Sequence, residues 1–92
     1  MNRTSAFGKA IRTLRKAQGL TQELLAEKAD LHVNNISFVE RGLNAPTLDT
    51  ICALADALGM KVSELAVEME KHAKRGSMPV TEQVKNPKAR QA

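Results

Sequence analysis

Apolar residues recur along this chain at the three- and four-residue spacing of helices that hide one face. Phe7, Ala10, Ile11 and Leu14 form the first such set, with Ser5 or Thr4 placed to cap it and Met1 to Thr4 left as a loose arm. Gly19 ends it, and Leu20 folds back onto its last turn. A second set, Leu25, Ala26 and Ala29, begins after Thr21, whose hydroxyl can accept a bond from an unpaired N–H of the first turn. Asp30 marks a tight turn, since Asp tolerates the left-handed conformation better than most residues. A third helix then runs from about Val33 to Arg41 and stops at Gly42. Its wheel puts Ile36, Val39 and Glu40 on one face and Asn34, Phe38 and Arg41 on the other.

The loop Leu43 to Pro46 leads to Thr47, a good cap for a fourth helix that carries Leu48, Ile51, Leu54, Ala55 and Leu58 inward and ends at Gly59. Met60 and Val62 open a fifth helix with Leu65, Ala66 and Met69 as its stripe, continuing toward His72. Lys61 is a poor cap, so Ser63 is the alternative. From Gly76 to Ala92 only Met78, Val80 and Val84 are larger apolar residues, among Pro79, Pro87 and polar side chains. So little can be buried that the tail is expected to be disordered. The organisation is therefore an all-α five-helix domain over 1–75 and a basic tail over 76–92.

With 92 residues and Phe7 and Phe38 as the sole aromatics, the core must come from aliphatic side chains and Met, which suits packed helices. The formal charge of +4 would suggest an anionic partner, but up to Glu70 acids slightly outnumber bases. The excess lies from Lys71 onward, at Lys71, Lys74, Arg75, Lys85, Lys88 and Arg90 against Glu82. Net charge is thus weak evidence about the folded part, and placement must decide. Cys52 is alone, which excludes an internal disulfide and fits a reducing cytosol; it reads as a small core residue. His32, His72 and Cys52 lack metal-ligand spacing, and neither paired carboxylates nor a nucleophile motif nor a phosphate loop is present. The expectation is no catalysis, no metal and no cofactor. No apolar run reaches membrane-spanning length and no signal-peptide pattern opens the chain, so a cytoplasmic protein without membrane contact is expected.

The stretch TQELLAEKADLHVNNISFVERG, from Thr21 to Gly42, resembles the helix-turn-helix of bacterial and phage repressors of the lambda and Cro type. Gln22 opening the first helix, Leu25-Ala26 inside it, Ile36 and Val39 in the second, and the closing Glu40-Arg41-Gly42 carry the likeness, which runs from roughly Phe7 to Leu65. It implies a repressor-like domain whose third helix lies in the major groove of double-stranded DNA. Asn34 would then read a base, because a carboxamide pairs with adenine N6 and N7, worth roughly 1–3 kcal/mol of discrimination. Val33 either touches a thymine methyl or fills the turn. Phe38 departs from the polar residue frequent in the family, and either stacks on a thymine methyl or bends back beside the core. By the same resemblance Gln22, His32, Asn35, Ser37 and Arg41 contact phosphate, with His32 alternatively a cap. Leu43 and Asn44 fall where relatives often carry bases, which implies a shallower salt dependence. Arg15 and Glu40 match a pair that forms an internal salt bridge in relatives.

Relatives bind two-fold operators as dimers, since one recognition helix reads too few base pairs for selectivity. Val62, Leu65, Val67 and Met69 are the expected homodimer interface, although packing on the domain's own core takes some of them. A sequence-specific transcriptional regulator is the reading implied. The alternative is an antitoxin-type protein that binds its operator and inhibits a partner protein through its tail; the tail as a nonspecific DNA arm is a third. With no ligand-binding domain in view, no small-molecule partner is expected.

Overall fold

The computed structural model describes residues 2–75; the basic tail over 76–92, with the disorder and partner binding expected of it, lies outside the described residues. Five helices follow in order: α1 (Arg3–Ala17), α2 (Gln22–Ala29), α3 (Val33–Glu40), α4 (Leu48–Ala57) and α5 (Val62–Arg75), with no strand among the described residues. The start of α1 differs from expectation. Asn2, not Ser5 or Thr4, is the cap, and its side-chain carbonyl accepts from the Ser5 N–H at 2.8 Å. A carboxamide one turn upstream draws Arg3 and Thr4 out of the expected loose arm and into the first turn. Thr21 and Thr47 cap α2 and α4 through the N–H groups of Leu24 and Thr50. Asp30 adopts the left-handed conformation, with φ 58° and ψ 45°, and so makes the turn between α2 and α3.

Neither Lys61 nor Ser63 caps α5 with its side chain. The helix begins at Val62, and the Lys61 N–H donates to the Glu64 carboxylate at 2.9 Å, one half of a capping box without a hydroxyl partner. Ser63 is already the second helical residue.

The core is aliphatic, with Ile11, Leu25, Ile36, Leu54 and Leu65 wholly buried from five different helices. Each such side chain contributes about 1.5–3 kcal/mol of burial, so every helix is tied to the centre by at least one anchor. Two inward assignments fail. Leu48, the first residue of α4, is 69% exposed, while the inner side of that helix is carried by Leu54, Ala55 and Leu58. Ala66 is exposed because Leu65, half-buried Met69 and buried His72 already define the inner face of α5 at i, i+4 and i+7. A residue one step from Leu65 lies about 100° round the helix and faces outward. The Gln18 side chain adds a polar tie, donating from Nε2 to the Leu58 carbonyl at the end of α4 at 2.9 Å.

Gly8 sets the approach of α1 to α3. A Cβ there would meet the Val39 carbonyl oxygen at 2.2 Å and that of Glu40 at 2.9 Å. The two helices are therefore in backbone contact at the end of α3. Gly42, just past that end with φ 71°, turns the chain where a side chain would also crowd Ser5.

Candidate nucleic-acid interface

Burying Ile36 and Val39 fixes which side of α3 faces out. Asn34 and Asn35 are exposed in its first turn, and Val33 is half-buried against the core. His32 is the N-cap, its Nδ1 accepting from the Asn34 N–H at 3.1 Å. Phe38 is half-buried and lines a shallow depression of about 140 Å³ with Asn44 and Pro46 of the next loop. Its ring also carries the exposed Arg41 guanidinium 5.5 Å from the centroid. Phe38 thus lies between the two alternatives, partly withdrawn from the surface yet open at its edge. Ser37 is half-buried on the flank.

Behind this face, Arg15 and Glu40 form a paired, almost fully buried contact. Arg15 Nε donates to Glu40 Oε2 at 2.6 Å and Nη2 to Oε1 at 3.0 Å, with side-chain exposures of 9% and 3%. The third guanidinium nitrogen, Nη1, donates to the Leu20 carbonyl at 2.8 Å. Hydrogen bonding to Glu40 raises the Arg15 guanidinium above its ordinary range and outweighs the lowering by burial, so the guanidinium stays charged. Gln22 joins it, donating from Nε2 to Glu40 Oε1 at 3.0 Å. One carboxylate therefore ties the end of α3 to α1 and to the first residue of α2.

That arrangement gives Gln22 a fixed side chain at the positive end of α2, where a backbone anion is favoured. The resemblance already pairs Arg15 with Glu40, but sequence reasoning does not find the three-way junction with Gln22. Only the 25-residue and 18-residue separations being closed in space reveals it. Leu65 of the expected dimer interface is wholly buried on the domain's own core and is unavailable to a partner. Val62 and Val67 are exposed, and Met69 is half-buried. Among the described residues no cluster of three His, Cys, Asp or Glu could hold a metal, and no helix is long and apolar enough to cross a membrane.

Residues 11–65 match the model of the helix-turn-helix family. The immunity repressor protein of Bacillus phage phi105 is 43% identical over 61 residues, which cover 66% of this chain and 42% of that protein. The chain thus spans less than half the length of the phage repressor. Control protein C.BamHI of Bacillus amyloliquefaciens is 38% identical over 60 residues, covering 64% of this chain and 74% of that protein. The solved structure of the restriction-modification controller protein C.AhdI from Aeromonas hydrophila matches with a TM-score of 0.66 at 40% identity, over 67% of this chain and 94% of that one. With its two-helix motif, left-handed turn and matched span in agreement, the chain belongs to the helix-turn-helix family of lambda-repressor and XRE-like type, non-enzymatic DNA-binding regulators of transcription.

Proposed function

We propose that the protein binds a two-fold operator as a homodimer, each α3 entering the major groove of one half-site. The observation that carries this reading is the division of α3, which buries Ile36 and Val39 and leaves Asn34 and Asn35 exposed in its first turn. The N-terminal residues of a recognition helix are those that reach base edges. Asn34 reads adenine, Val33 and the open edge of Phe38 supply apolar contact, and Gln22, His32, Asn35, Ser37 and Arg41 hold phosphates. The exposed charges of α2 and α3 include the acids Glu23, Glu27 and Asp30 beside the bases Lys28 and Arg41. Phosphate binding then rests on amides and helix ends more than on cations, so affinity falls gently with salt.

In-vitro selection from random duplexes at one fixed salt concentration tests the whole reading. A two-fold motif with half-sites about one helical turn apart is the expected product; recovery of no motif would overturn it. Within that operator, Asn34→Ala is expected to relax preference at one position per half-site by about 1–3 kcal/mol without loss of the fold. An unchanged selected motif would remove Asn34 from the reading set.

The dimer is assigned to α5, where Val62 and Val67 are exposed beside Met69. Both valines are free of the domain's own core, so Val62→Asp with Val67→Asp is expected to leave the monomer folded. The paired change should weaken self-association at least about tenfold by sedimentation. Unaltered dimerisation would place the interface elsewhere.

A further inference from the structure

The geometry points to a small-anion site in the cleft between α1 and α5, walled by Lys9, Arg12, Thr13 and His72 and floored by Glu40, suited to a small phosphorylated ligand that acts on the recognition helix. The cleft is an open groove of about 380 Å³. Its walls are cationic for a reason visible in the chain. Arg3–Ala17 contains Arg3, Lys9, Arg12, Arg15 and Lys16 and no acid, and Arg15 is taken up inside by Glu40. Lys9 and Arg12 stand exposed one turn apart on the side of α1 facing α5, with no ion pair or hydrogen bond among the described residues.

Glu40 does not cancel them. Its carboxylate is already met by the Arg15 guanidinium and the Gln22 amide, so the field of the cleft remains that of Lys9 and Arg12. His72 supplies the second observation. The imidazole is only 8% exposed, and its Nε2 is buried without a hydrogen bond. Nε2 faces Glu68 Oε2 at 3.5 Å, and Glu68 also faces Lys71 at 3.5 Å. A planar guanidinium fork, an ammonium and a hydroxyl gathered beside an imidazole are groups that recognise phosphoryl oxygens. Because Glu40 is at once the floor of the cleft and the link to Gln22, occupancy alters the end of α3 and the first residue of α2 together. That coupling gains its regulatory meaning from the operator-binding reading; the binding itself does not depend on it.

Pyrophosphate is the probe, titrated into the full chain without DNA at constant ionic strength, with amide and side-chain NMR signals followed. Saturable shifts at Lys9, Arg12, Thr13 and His72 that extend to the Gln22 side-chain amide are expected. In Lys9→Gln with Arg12→Gln, two exposed positions that leave the fold intact, the apparent affinity should fall at least about tenfold. Shifts that grow without saturating, and equally at Lys28, would overturn the site. So would a paired variant that binds every duplex more weakly with a flatter salt slope, because Lys9 and Arg12 would then be holding the DNA backbone. Since the titration contains no DNA, its outcome stands even if no operator is selected.

Discussion

Arg15→Met is expected to lower the unfolding free energy by about 3–5 kcal/mol, because it strands the Glu40 carboxylate in the interior. At 3% side-chain exposure Glu40 cannot recover water, and of its donors only the Gln22 amide would remain. The Leu20 carbonyl loses its partner as well, which loosens the link between α1 and α2. Attraction within the pair and the desolvation of both charges nearly offset each other, so the pair as a unit stabilises far less than either single change suggests. Arg15→Met with Glu40→Leu should therefore recover much of the loss. Urea unfolding of both single variants and the double one closes the cycle. A single variant costing under about 1 kcal/mol would mean that the pair behaves like one in solvent. Operator affinity should drop in the single variant too, since Gln22 and the end of α3 share that carboxylate.

Gly8→Ala should cost about 3 kcal/mol or more, against the direction that helix propensity predicts. In an open helix interior alanine would stabilise by up to about 1 kcal/mol. Here the added methyl would sit 2.2 Å from the Val39 carbonyl oxygen, and the obstacle is main chain that no rotamer change can clear. Either α1 moves away from α3 or the last turn of α3 unwinds, and both also disturb Glu40. For a domain of this size the expected fall in melting temperature is about 12–24 °C, read by circular dichroism or calorimetry. A rise instead would show that α1 stands clear of α3.

Both expectations concern places where chain neighbours say little. A glycine interrupting an otherwise regular apolar pattern can signal a close helix contact, yet nothing near Gly8 in sequence names Val39 as what it meets. Arg15 and Glu40 are paired by resemblance to relatives, and no rule of spacing would join residues 25 apart. Gln22 reads from sequence as a phosphate ligand alone; its bond to Glu40 makes it a fixed group.

Local chemistry, by contrast, is legible in the order of residues. Thr21 and Thr47 cap because a hydroxyl there meets an unpaired N–H, Asp30 turns because its backbone tolerates positive φ, and the apolar spacing of α1 to α5 names most of the core. Where those readings fail, a competing local partner or the edge of the fold is responsible: Asn2 displaces Ser5 as the cap, Glu64 serves the Lys61 N–H, and Leu48 stays largely exposed at the start of α4. The sequence by itself thus determined five helices, the turn between the second and third, and the family to which the motif points, because these depend on groups within four residues of one another. Tertiary structure alone decided that Leu65 is taken up by the core, that one carboxylate joins three helices, and that Lys9, Arg12 and His72 share a cleft. Those facts depend on the directions in which packed helices cross, and distant contacts arise only once the core has closed.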